Sequence, residues 1–245
     1  MDRITIGITD CGRYSNYANW IKTVQGVDVV KLSYHENNSS VIDQCNGIVL
    51  TGGQDVHPRY YNKMEYMDFY KGTIPDIDEK RDAFEFSVLE YTQKNKLPVL
   101  GICRGLQLAN VFFGGTLLLD IPAMVKRNHS KIREGEDRYH TIAVTPGSAL
   151  FKIAGTDTGV VNSAHHQSAL MVAEDLTVTA VSEDGIIEAL ERQDFYTHSY
   201  LMLVQWHPER MNDLQSEFSL SIKNSFLEAG KRPAIQNKIK NTFKP

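Results

Sequence analysis

The chain has few cysteines, and they are not placed to pair. Cys11, Cys45 and Cys103 are the three among 245 residues. They form no C-x-x-C pair and no disulfide framework, which points to a reducing compartment, the cytoplasm. No apolar run is long enough to span a bilayer. The opening Met1-Asp2-Arg3 leads straight into Ile4-Thr5-Ile6-Gly7-Ile8 and shows no signal-peptide pattern. Positive charge is not in excess: 26 Lys and Arg stand against 30 Asp and Glu, for a net charge of −4. No basic motif of a known type is present, so neither nucleic acid nor membrane is an expected partner. Repeats and low-complexity tracts are also lacking. What remains, with 42% hydrophobic residues, suits one large α/β domain over residues 1–230, followed by a basic tail at 231–245.

The most informative stretch is Val99-Leu100-Gly101-Ile102-Cys103-Arg104-Gly105-Leu106-Gln107. Val99 to Ile102 reads as a buried parallel strand. Leu106, Leu108, Ala109, Val111 and Phe112 then fall at helical spacing. Cys103 therefore sits where a strand turns abruptly into a helix, a nucleophile elbow with Cys in place of Ser. Gly101 and Gly105 leave room for the turn and for close strand–helix packing. A helix N-terminus favours a thiolate there. It also leaves the Arg104 N–H free to bind an oxyanion. The competing reading is a buried structural cysteine.

Other strands are predicted at Ile4–Ile8, Val27–Leu32, Gly47–Leu50, His140–Val144, Leu176–Val181, Ile186–Leu190 and Leu201–Trp206, with one more ending near Val161. Helices are predicted over Asn16–Val24, Asp78–Gln93 and Leu214–Ala229, with Gly26 and Gly230 ending the first and last. Residues 126–139 read as an exposed loop. Alternating strands and helices imply a mainly parallel sheet covered on both faces. Its site lies at the carboxyl ends of the strands. Gly52-Gly53, Cys103, His165-His166 and His207 all fall at such ends, although Gly52-Gly53 alone also suits an ordinary turn. The aromatic-rich segment from Gln54 to Ile77 is long for a connection. It suits a lid over the site or a contact between two copies of the chain, and the sequence does not separate these.

A thiol nucleophile needs a base and a group to orient it. His207 and Glu209 fit, because Pro208 keeps His207 out of the α region and residues two apart in an extended segment point the same way. By itself His-Pro-Glu equally suits a surface turn; Cys103 gives it meaning. Cys103, His165, His166 and His207 are also metal-ligand types. Adjacent His165 and His166 diverge in an extended chain, however, and no pair has zinc spacing. No metal is expected.

Taken together, Thr51-Gly52-Gly53-Gln54-Asp55-Val56-His57-Pro58, Arg81-Asp82 with Glu85, Gly101-Ile102-Cys103-Arg104-Gly105, Val161-Asn162-Ser163-Ala164-His165-His166-Gln167 and Gln205-Trp206-His207-Pro208-Glu209 resemble the class I glutamine amidotransferase family. Within it they are most similar to the γ-glutamyl-γ-aminobutyrate hydrolase type, of the peptidase C26 kind. The resemblance implies a flavodoxin-like α/β fold and a Cys103–His207–Glu209 triad. It also implies an oxyanion hole from the N–H groups of Gly53 and Arg104. Gly52, Gln107, Ser163, His165, His166 and Gln167 would line the substrate pocket. The implied activity is hydrolysis of a small γ-glutamyl amide through a γ-glutamyl thioester, with no cofactor. A glutaminase subunit supplying ammonia to a separate synthetase is the alternative. Leu119, where many relatives carry Gln, and the 54–77 segment leave the amine side of the pocket open.

Overall fold

Apolar residues on both faces of a short strand need cover on both sides, so such strands belong in the middle of a sheet. The computed structural model bears this out. It describes residues 3–70, 76–125, 127–194 and 199–232. Strand β1 is Ile4–Thr9, β2 Val27–Leu32, β3 Gly47–Leu50, β4 Val99–Ile102, β6 Arg138–Val144, β7 Thr158–Ser163, β9 Leu176–Ser182, β10 Ile187–Arg192 and β11 Leu201–Val204. Together they form a nine-stranded sheet in the order β2-β1-β3-β4-β11-β10-β9-β6-β7. The first five of these pair in parallel, with Leu100 beside Val49 on one side and Met202 on the other. Only β10 and β6 run against the rest. Leu117–Leu118 (β5) and Ser168–Ala169 (β8) make a separate two-stranded ladder.

Alternate residues feed opposite cores, as the pleat requires. Val49, Leu100, Met202 and Val204 pack with Tyr17, Trp20 and Ile21 of helix α1 (Tyr14–Lys22) and with Phe226 of helix α6 (Ile222–Lys231). Ile48, Leu50, Val99 and Leu203 pack with Val88 and Leu89 of helix α2 (Glu79–Asn95) and with Leu106 of helix α3 (Arg104–Phe112). Asp78 starts α2 by accepting the N–H groups of Lys80 and Arg81 at 3.0 and 3.2 Å, a cap of the expected kind. Helix α3 lies almost on the strands. A Cβ on Gly101 would meet Gly105 backbone at 2.9 Å, and one on Gly105 would collide with the Leu50 carbonyl.

The expected bounds of β2, β3 and β4 are those observed. The C-terminal helix differs. A π-turn at Glu217–Ser221 precedes it, α6 begins only at Ile222, and it runs past Gly230 to Lys231. Helix α1 ends at Lys22, four residues before Gly26. Short helices α4 (Ile121–Val125) and α5 (Ala149–Ala154) carry too few residues for a periodic signal. The 126–139 segment is not wholly exposed, for His129 is buried and β6 starts at Arg138. The aromatic segment folds into two 3-10 turns, Pro58–Tyr61 and Met64–Tyr70, and is closed by a bridge between Asp55 and Ile77. Tyr61 is buried, and Tyr60 stacks on Phe86 of α2 at 4.5 Å. Part of the segment is thus core. The 231–245 tail lies outside the described residues after Arg232. No described helix is long and apolar enough to cross a membrane.

Candidate active site

Strand β4 ends at Ile102 and α3 begins at Arg104, so Cys103 alone makes the whole turn. Its φ of 54° and ψ of −107° lie where side chains rarely go, a strain typical of functional positions. The Cys103 N–H donates to the Val204 carbonyl at 2.8 Å, while its own carbonyl accepts from Leu106 at 3.0 Å.

His207 arrives two residues after Gln205 at the end of β11. The intervening Trp206 is fully buried, and its indole N–H donates to the Phe218 carbonyl at 3.0 Å. The His207 backbone N–H donates to Asn162 Oδ1 at 3.0 Å, and Asn162 in turn donates to Asp137 at 2.9 Å. His207 Nδ1 lies 3.0 Å from Glu209 Oε1, and the ring also hydrogen-bonds Cys103. Pro208–Arg210 forms a 3-10 turn, not the extended segment expected, yet the turn still brings Glu209 back to the ring. Burial alone would push the imidazole down. The charges of Glu209 and Cys103, with hydrogen bonds to both, outweigh it and raise His207 to about 9.

At the end of β3, Gly52 leaves no room for a side chain. A Cβ there would lie 2.9 Å from both His207 Cε1 and the Tyr17 hydroxyl. The Gly52 N–H donates to that hydroxyl at 3.0 Å. Gly53 has a φ of +143°, and the Arg81 guanidinium occupies the space its Cβ would need. Arg81 donates to the Thr51 carbonyl at 3.2 Å, the Gly52 carbonyl at 2.9 Å and Gln54 Oε1 at 2.8 Å. It also pairs with Glu85 at 3.1 Å, while Arg104 pairs with Asp82 and Glu85. All four side chains are buried. Burial would raise the Glu85 carboxyl, but the Arg104 and Arg81 charges hold it below its usual value. The N–H groups of Gly53 and Arg104 donate to no other group among the described residues. Tyr17 and Asp137 were missed by sequence reading, and Asn162 and Arg81 were noted only within motifs. Each acts through contacts far along the chain.

The proposed pocket residues divide. Gln107 Nε2 donates to the Gln167 carbonyl at 3.0 Å and to Gln205 Oε1 at 3.3 Å. His166 sits half-exposed between Asp55 at 3.0 Å and Asp120 at 3.5 Å. Ser163 is spent on structure, its hydroxyl donating to the His129 carbonyl at 2.6 Å. His165 is buried, with Nδ1 2.9 Å from the Gln167 carbonyl and Nε2 3.6 Å from Glu188. Of the four metal-ligand types considered from sequence, only Cys103 and His207 are brought together. His165 faces Glu188, His166 faces two aspartates and His207 faces Glu209.

A model of the Peptidase C26 family matches residues 9–209. A Rickettsia prowazekii protein described as glutamine amidotransferase-like is 30% identical over 239 residues, covering 81% of this chain and 82% of its own. The γ-glutamyl-γ-aminobutyrate hydrolase of Escherichia coli O157:H7 is 31% identical over 189 residues, covering 74% of this chain and 69% of its own. In fold, the glutaminase domain of Trypanosoma brucei CTPS, solved with bound acivicin, superposes with a TM-score of 0.61 at 13% identity, covering 93% of each chain. The flavodoxin-like sheet and the span of the family match agree: the chain belongs to the Peptidase C26 family, amide hydrolases of the glutamine amidotransferase type.

Proposed function

We propose that this protein hydrolyses the γ-glutamyl amide bond of a small γ-glutamyl compound, releasing glutamate and an amine. The observation that carries the reading is the convergence at Cys103. A strained cysteine at a helix start hydrogen-bonds His207, which Glu209 holds from the other side at 3.0 Å. The Cys103 thiolate attacks the δ-carbonyl carbon, and the carbonyl electron pair moves onto oxygen. The Gly53 and Arg104 N–H groups receive that oxyanion; such a donor is worth roughly 3–4 kcal/mol of barrier. As the oxyanion collapses, the C–N bond breaks and His207 protonates the departing amine. A γ-glutamyl thioester remains on Cys103. His207 then takes a proton from water as the water attacks, and the C–S bond breaks to release glutamate and the thiolate.

Glu209 makes no bond. It orients the ring and favours the imidazolium. Similarity to a γ-glutamyl-γ-aminobutyrate hydrolase supports a γ-glutamyl substrate. The test is glutamate release by purified protein from a panel of γ-glutamyl amides and from glutamine. Turnover of γ-glutamyl amides by the lone chain, absent in Cys103→Ala, is the expected result. No turnover of any member, or full turnover by the variant, would sink the reading.

A further inference from the structure

Away from Cys103, four side chains converge that the proposed reaction leaves unused. Glu188 on β10 is fully buried. Its Oε1 lies 3.1 Å from His140 Nε2, 3.5 Å from His129 Nδ1 and 3.6 Å from His165 Nε2. None of these five buried atoms, both Glu188 oxygens included, has a hydrogen bond of good geometry; what they face is one another. Buried polar groups are rarely left in that state.

The outer contacts sharpen the problem. His165 Nδ1 lies 2.9 Å from the Gln167 carbonyl. A carbonyl only accepts, so Nδ1 carries the proton and Nε2 turns a lone pair toward the Glu188 carboxylate. His129 Nε2 lies 3.1 and 3.3 Å from the two oxygens of Asp184, itself fixed by the Ser182 hydroxyl at 2.6 Å. That nitrogen is engaged there, and Nδ1 faces Glu188 at 3.5 Å. The His165 lone pair and the Glu188 carboxylate face one another and need a cation between them, a proton or a metal ion. Metal-bound imidazoles have this outer arrangement, the far N–H given to a carboxylate or a carbonyl.

The spacing agrees. Donors about 2.0–2.1 Å from a tetrahedral zinc lie about 3.3 Å from each other, and the three nitrogens stand 3.1 to 3.6 Å from one shared oxygen. The donor atoms of His129, His140 and Glu188 all lie within 4.8 Å of one another, while His165 Nε2, 3.6 Å from Glu188, stands outside that set. Three imidazoles and one carboxylate suit zinc, whereas calcium and magnesium take oxygen ligands. A cavity of about 320 Å³ lined by His129, His140 and Asp184 supplies an entry path.

We propose that His129, His140 and Glu188 bind one zinc ion and draw in His165 as the fourth ligand, a structural site that ties the 163–167 segment to β6 and β10. The site does not depend on the chemistry at Cys103. It gives His165 a role other than contacting substrate.

The test uses the full chain carrying Cys103→Ala, so that the thiol offers no competing site. The protein is stripped with a chelator and titrated with zinc against a chromophoric chelator. One zinc per chain is expected, with a rise in Tm on binding. Cobalt in its place is expected to give the intense visible bands of a tetrahedral ion. His140→Ala is expected to lower zinc affinity at least tenfold with an unchanged circular dichroism spectrum. Asp184→Asn, in the outer shell, is expected to lower it 10- to 100-fold. If His140→Ala does not fold, anomalous scattering at the zinc edge from crystals of the Cys103→Ala chain decides. A peak among the four side chains upholds the site, and a peak elsewhere overturns it. Absence of stoichiometric binding overturns it, as does binding that His140→Ala leaves unchanged: the four residues are then held by protons alone.

Discussion

At His207, burial and charge pull in opposite directions and charge wins. The ring's folded value of about 9 lies above its ordinary 6.5. A raised value means that the folded state holds the proton more tightly. The stabilisation is complete below about pH 6.5 and is lost as pH rises through 9. The urea-midpoint difference between the parent and His207→Gln should therefore shrink from pH 6 to pH 10. In the proposed reaction the same titration sets activity. Loss of the imidazolium removes the acid for the departing amine, so kcat/KM should fall on the alkaline side with an apparent pKa near 9. Glu209 supplies the largest of the supporting charges. Glu209→Gln should move that alkaline limb to lower pH and slow turnover without abolishing it. His207→Ala should cost ~100- to 10,000-fold, and the double variant little more, because members of one catalytic unit are not additive. An alkaline limb unmoved in Glu209→Gln would make Glu209 a bystander.

Helix α2 and the turn after β3 form the element that presents Gly53. Three Arg81 hydrogen bonds hold carbonyl or amide oxygens of Thr51, Gly52 and Gln54. With those oxygens fixed, the Gly53 N–H keeps its direction. Arg81→Met should lower kcat ~10- to 1000-fold, the range of losing one oxyanion donor, with a smaller change in KM. It should also cost about 3–5 kcal/mol in stability by denaturant unfolding, because it strips a buried partner from Glu85. Equal losses in kcat and in folded fraction would reduce Arg81 to a structural role. In the proposed reaction the 54–77 segment meets the substrate through Asp55, which holds His166 at 3.0 Å and accepts from the Tyr70 hydroxyl at 2.5 Å. Asp55→Asn should change relative rates across a panel of γ-glutamyl amides more than the rate for the best one. Proportional losses across the panel would count against a part in amine selection.

Across the whole molecule, stability rests on the packed faces of the sheet and the candidate chemistry on the carboxyl ends of its strands. Phe226 of α6 is fully buried in the core that β1, β3 and β4 share with α1. Phe226→Ala should cost about 3–5 kcal/mol and lower the denaturation midpoint, yet leave kcat/KM near that of the parent while folded. A matching loss of kcat/KM in folded protein would couple that core to the site. The site itself gathers the carboxyl ends of β3, β4 and β11, three adjacent parallel strands.

Local sequence determined the central strands, the elbow at Cys103 and the His207–Glu209 pair. Each rests on information a few residues long: an apolar run, two glycines spaced around a cysteine, a proline between a base and an acid. Only the tertiary structure decided which nitrogens face which oxygens. Arg81 and the turn it holds are some thirty residues apart, and Tyr17 reaches Gly52 across two strands. His129, His140 and His165 meet Glu188 because β6, β7 and β10 lie in one antiparallel region of the sheet. Strand order is set by how all the apolar faces are buried together, and no local spacing records it. For that reason His165 and His166, both assigned to the substrate pocket by resemblance, face different carboxylates in the fold.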